Sequence, residues 1–268
     1  MRHLAGGLVF TGFMAGVLFV GSAWGQGPVG PTADEIVVRM MAKNAERQAA
    51  LAHYGAERTY RLEYRGTGGA HSAEMLVDVD YTAEQKHMTI VSETGSKMIC
   101  ERVLRKLVES EQEASQRTNR MQMMLSPENY RIELVGQESM DGVRTWVLEV
   151  SPKVESKFTY RGRVWVSVDD YAMVRVAGEP AKNPSWWINH ASFDWHYARH
   201  GEFWLPERNV AVSHVRIGGE ATLTIDYGEY EVAAVRRAKP EANTAASVLR
   251  AARVGLVAGE ASGEHLRR

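Results

Sequence analysis

The sequence predicts an α+β protein organised around a curved antiparallel sheet, and three observations predict it. From Val143 to Tyr230 the chain reads as consecutive strands in which aromatic and β-branched residues alternate with polar ones. Along Phe158 to Val168, for instance, Phe158, Tyr160, Val164, Val166 and Val168 share one parity, while Thr159, Arg161, Arg163 and Ser167 share the other. That is the period of a strand with one apolar and one wet face. Finally, two segments switch to helical spacing, one ahead of all the strands and one between two runs of them.

The chain opens Met1-Arg2-His3, runs apolar from Leu4 to Val20 and closes the run with Gly21, Ser22, Ala23, Trp24 and Gly25. A basic start, a short apolar core and small residues at its end predict a secretory signal peptide over residues 1–25, cut before Gln26. A retained membrane anchor is the other reading of the same stretch. Without the leader the chain carries 31 basic against 33 acidic residues, since Arg2 is the one charge lost from 32 and 33. That balance gives no reason to expect nucleic acid. The single cysteine, Cys100, cannot form an intramolecular disulfide, so an exported domain is held by its core alone.

A Gly- and Pro-rich linker, residues 26–33, precedes Ile36, Val37, Met40, Met41, Asn44 and Leu51, whose spacing predicts an amphipathic helix from Ala33 to about His53. Thr32 and Asp34 supply capping residues at its start. The period then changes to two. Tyr60, Leu62 and Tyr64 oppose Thr59, Arg61, Glu63 and Arg65 in a strand over Glu57 to Arg65. Gly66, Gly68 and Gly69 turn the chain into Met75, Val77, Val79 and Tyr81, and Met88 and Ile90 lie in a third strand, making a meander. From Lys97 to Ala114 the spacing of Ile99, Val103, Leu104, Leu107 and Val108 predicts a helix, and the open mouth of the sheet is the surface its stripe can cover. Met121, Met123 and Met124 read either as core filler or as an adaptable binding surface. The main sheet starts at Tyr130 and runs to about Val232, and residues 234–268 form a tail without a strong apolar face.

Candidate chemistry is sparse. His190, Asp194, His196 and His200 could gather a metal by residue type, but the surrounding alternation places Asp194, His196 and His200 on the wet face of a strand. Asp169-Asp170 sits at a strand end, where a turn accounts for it. No nucleophile elbow, metalloprotease helix or phosphate loop occurs, and the sequence points to no cofactor, no metal and no enzyme. Trp186-Trp187-Ile188, after the loop-like Asn183-Pro184-Ser185, reads either as a plug closing one end of the sheet or as the edge of a binding mouth.

The run Gly162 to Val176, then Gly178 to Trp187, resembles the outer-membrane lipoprotein-sorting protein family, the LolA/LolB-like carriers, in a remote branch. Phe203-Trp204-Leu205-Pro206, the closing Leu223 to Tyr230, and Cys100 to Leu104 ahead of Leu107 and Glu109 fit the same pattern, which spans residues 34–233. The resemblance implies a half-open antiparallel barrel whose apolar concave face is covered by helices. It implies a periplasmic carrier of the acyl chains of a lipoprotein or lipid, working with inner- and outer-membrane transfer proteins. A non-catalytic envelope sensor or scaffold that binds a protein partner is the alternative on the same fold. Family carriers hold their lid with an arginine near the early strands; Arg61 and Arg65 lie in that region and neither is assigned the role.

On this reading Tyr60, Leu62, Tyr64, Met75, Val77, Met88 and Ile90 form one wall of the apolar cavity. Trp146, Leu148, Phe158, Tyr160, Phe193 and Trp195 form the other, with Val103 and Leu107 beneath the lid. Trp186 and Trp187 stand at the mouth or meet a partner.

Overall fold

Alternation builds ten strands among the described residues of a computed structural model, which are 30–82, 85–114, 124–156, 158–183, 186–216 and 218–235. The expected signal peptide, Met121, Met123 and all but the first two residues of the tail lie outside them. So does half of the linker, residues 26–29.

Helix α1 (Ala33–Ala50) begins on a complete capping box: the Thr32 hydroxyl accepts from the Glu35 amide, and the Glu35 carboxylate accepts from the Thr32 amide at 2.9 Å. It ends three residues short of His53, with no intervening turn, because Leu51 pairs with Ala234 and starts a strand. That strand, β1 (Leu51–Gly66), forms with β2 (Gly69–Thr82) and β3 (Lys86–Gly95) the predicted meander.

The chain then crosses the sheet in α2 (Lys97–Ile99), a π-helical turn over Cys100–Leu104, and α3 (Arg105–Ala114). The π turn inserts one residue into the helical phase. Ile99, Cys100, Leu104 and Val108 therefore face the sheet, and Val103 is turned outward at 43% exposure. The expectation that Val103 lies beneath the lid is corrected accordingly.

The remaining strands are β4 (Tyr130–Met140), β5 (Val143–Pro152), β6 (Tyr160–Ser167), β7 (Met173–Pro180), β8 (Ile188–His200), β9 (Phe203–Val215) and β10 (Glu220–Ala234). All pairs are antiparallel, in the order β3-β2-β1-β10-β9-β8-β7-β6-β5-β4. The sheet curves without closing, a half-barrel whose free edges are β3 and β4. Pairing of β1 with β10 joins the early meander to the last strand, so the inserted helices lie over one face of a continuous sheet.

Glycine permits a close approach in the middle of it. Gly162 has φ of +150° and pairs with Gly178; a Cβ on Gly162 would sit 2.2 Å from the Ala177 carbonyl oxygen, and one on Gly178 2.1 Å from that of Arg161. Strand β6 starts at Tyr160, so Phe158 belongs to the preceding loop, not to the strand in which the alternation placed it. That loop is shaped by the Thr159 hydroxyl, which accepts from the Ser156 amide at 2.9 Å.

Two clusters fill the concave side. One unites Tyr60, Met75, Val77 and Ile225 of the sheet with Ile99, Leu104 and Val108 of the lid. The other sets Ile36, Val37 and Met40 of α1 against Tyr130, Trp146, Leu148, Val164 and Val176. The convex face is not uniformly wet, since Val147, Trp165 and Val174 form a small apolar cluster joined by Trp204. The indole N–H of Trp165 donates to Glu138 and that of Trp204 to Asp170, each at 2.8 Å.

Candidate functional site

Each helix covers one half of the concave face. What lies between them is decided by strand order: β8, β9 and β10 are central, and the residues they turn inward belong to the margins of both clusters. Phe193, Trp195 and Tyr197 from β8, Asn209 from β9 and Leu223 and Tyr227 from β10 are only half-buried there. Phe193 stacks on Trp195 at 4.7 Å and meets the Tyr160 ring edge-on at 5.7 Å, and Tyr160 in turn lies 5.4 Å from Tyr130. The result is an aromatic band running across the sheet. Burial pushes the Tyr197 hydroxyl up to about 12, so it stays neutral.

The lid is pinned by charge. Arg58 of β1, 2% exposed, donates to Glu111 of α3 at 2.5 Å; Lys86 of β3 donates to the same carboxylate at 2.6 Å, and the Tyr60 hydroxyl to its other oxygen at 2.6 Å. Burial opposes ionisation of Glu111, but Lys86 and Arg58 and the hydrogen bonds outweigh it and pull the carboxyl down to about 2. Burial, with the charge of Arg58, lowers Lys86, and Glu111 only partly offsets this. The Arg58 guanidinium also lies 4.5 Å over the Tyr227 ring, whose hydroxyl lies 2.9 Å from the Asn209 side-chain nitrogen. Arg58 Nε, Asn209 Oδ1 and Trp146 Nε1 are buried with no hydrogen-bond partner among the described residues.

The structure divides the expected cavity wall. Tyr60, Leu62, Met75, Val77 and Met88 are buried beneath the lid, with Ile90, Tyr64 and Leu107 packed at the rim of that cluster. Trp146 and Leu148 are buried under α1, while Tyr160, Phe193 and Trp195 stay half-buried. Trp186 and Trp187 stand out at 67% and 46% exposure, stacked on one another at 3.7 Å.

Arg58 and Glu111 escaped the sequence reading. The signal was present: Arg58 shares the parity of Tyr60 and Leu62, and Glu111 follows Leu104 and Val108 on the same stripe. Arg61 faces elsewhere, toward Glu74 and Asp226, and Arg65 is 81% exposed.

The polar quartet is dispersed. Arg175 holds Asp194 with two hydrogen bonds of 2.7 and 2.6 Å, His196 lies 3.1 Å from the same carboxylate, and His190 lies against Glu179. A bulge between His196 and Tyr197 breaks the parity that put His200 on the wet face, and its ring packs against Tyr230 at 4.8 Å. Asp169 and Asp170 form a turn, as their position implied.

No protein-family model matches the chain, and no curated protein does. Among solved structures it is similar to a DUF1329 family protein from Desulfovibrio piger, at 12% identity and a TM-score of 0.42 over 82% of this chain and 100% of that one. It is also similar to a putative outer membrane lipoprotein-sorting protein domain from Vibrio parahaemolyticus, at 12% identity and 0.41 over 80% and 97%. A LolA superfamily protein from Nitrosomonas europaea aligns at 11% identity and 0.34 over 80% and 97%.

Proposed function

We propose that the protein is a carrier in the periplasm which holds the acyl chains of a lipoprotein or lipid on its concave face and helps deliver them to the outer membrane. The observation that carries this reading is the aromatic band of Tyr160, Phe193 and Trp195, left half-buried together with Tyr197, Leu223 and Tyr227 between the two clusters that the helices cover. An alkyl chain laid along it leaves water at about 0.8 kcal/mol per buried CH₂. A chain of ordinary length therefore supplies enough free energy to be held without any chemistry. Release follows from lid movement, for which the Arg58–Glu111 contact must separate, or from competition by a transfer partner in either membrane.

The test is native mass spectrometry with lipid extraction on protein exported to the periplasm of a bacterial host. Trp195→Glu and Leu223→Glu are suitable variants because both sites are half-buried, whereas Leu62 and Val77 are core positions whose replacement by a charge attacks folding. Lipid or lipoprotein that co-purifies with the wild type and is absent from folded Trp195→Glu supports carriage. A lipid-free wild type that also refuses fatty-acid probes sinks it and favours the envelope sensor or scaffold that binds a protein.

A further inference from the structure

Among the described residues the stacked pair Trp186 and Trp187 stands out in water, at 67% and 46% exposure. It lies between β7 and β8, at the sheet end that also carries the β1–β2 and β9–β10 turns and the start of α2. The three connections are tied together: the Arg216 amide donates to the Trp187 carbonyl at 2.8 Å, and the Tyr64 hydroxyl donates to the Gly218 carbonyl at 2.8 Å. The pair is therefore mounted on a braced end of the sheet. Its surroundings are polar: Arg216, whose amide meets Trp187, and Lys182, four residues before Trp186, are both exposed, while Arg65 near the end of β1 lies 3.8 Å from Glu63.

From this arrangement we propose that Trp186 and Trp187 dock that end of the protein on the surface of an anionic lipid bilayer. The inference is independent of cargo carriage, since a scaffold could use the same anchor. Size decides against a protein partner. A stable protein interface covers about 800 Å² on each side, whereas two indoles offer roughly 150–250 Å² each when whole, and these two are partly covered already. Among the described residues that flank them in the chain, Asn183, Asn189 and His190 are exposed and polar, and the one apolar neighbour, Ile188, is half-buried. Indoles by contrast settle at the headgroup level of a bilayer, and flanking cations are drawn to anionic lipids. Docking there would set the end where the lid begins against the membrane.

The experiment is vesicle co-sedimentation of the exported protein with phosphatidylethanolamine–phosphatidylglycerol vesicles and with pure phosphatidylcholine vesicles. It compares the wild type, W186S/W187S and K182E/R216E, whose folding is checked by melting. Brominated lipids report whether indoles enter the headgroup layer. The expected result is binding of the wild type to anionic vesicles, a more than tenfold loss in W186S/W187S, and a loss confined to anionic vesicles in K182E/R216E. Bromine quenching present in the wild type should vanish from W186S/W187S. Failure of the wild type to bind, or undiminished binding by folded W186S/W187S, overturns the proposal. Lipid content of the same preparations is measured separately, so failure of docking and failure of carriage are distinguishable.

Discussion

Arg58 on the first strand and Glu111 on the last lid helix meet 2.5 Å apart beneath the helix, 53 positions apart in sequence. The contact joins the two parts that must separate if the concave face is to open. Lys86 and Tyr60 converge on the same carboxylate, so one side chain holds the lid to two strands.

Replacing Glu111 by Gln leaves Arg58 and Lys86 facing one another without a counter-ion. A buried pair broken on one side costs about 3–5 kcal/mol, and because Glu111 is 28% exposed the expected loss is near the lower end, roughly 3 kcal/mol. Hydrogen exchange should quicken first over residues 97–114, with the sheet following in urea. If exchange over the lid is unchanged, the cluster does not hold it.

The same contact sets an acid dependence. The Glu111 carboxyl is depressed from 4.5 to about 2 in the folded protein, so the unfolded chain takes up a proton first as the pH falls. Its contribution is therefore complete above about 4.5 and is lost as the pH drops through about 2. The urea-midpoint difference between wild type and Glu111→Gln should be constant from pH 7 to 5 and shrink below. A difference that stays constant to pH 2 would contradict the assignment.

Gly162 and Gly55 make a paired test of backbone demand. Ala at Gly162 must resolve a 2.2 Å approach to a carbonyl in a conformation that L residues rarely adopt, whereas at Gly55, also in a strand, nothing lies within 4 Å. Gly162→Ala should lose about 2–4 kcal/mol, and Gly55→Ala should lose nothing and gain up to about 1 kcal/mol. Thermal melts of the two variants decide it.

The N-cap of α1 offers a local check. Thr32→Ala removes the acceptor for the Glu35 amide and should cost about 1 kcal/mol, seen as a lower urea midpoint. The loss should be smaller in Thr32→Ser, which keeps a hydroxyl.

The period-2 patterns of Met75 to Tyr81, of Trp146 to Val150 and of Leu223 to Tyr227 needed nothing outside their own segments, because a pleated strand alternates its side chains whatever it pairs with. The sheet and its apolar face were legible for that reason, the two covering helices from their own helical spacing, and the turn at Asp169-Asp170 from its place at a strand end. What the sequence could not carry are the places where a neighbour resets the local rule. Leu51 leaves the helix because Ala234, far along the chain, offers a strand partner. Val103 turns outward because a π-helical turn shifts the stripe to Leu104 and Val108. His200 falls out of line at a bulge, and Phe158 stops short of its strand. The joining of Arg58 to Glu111 likewise belongs to tertiary structure alone. A buried cation is stable only where the fold delivers a carboxylate to it, and no local pattern says which residue that is.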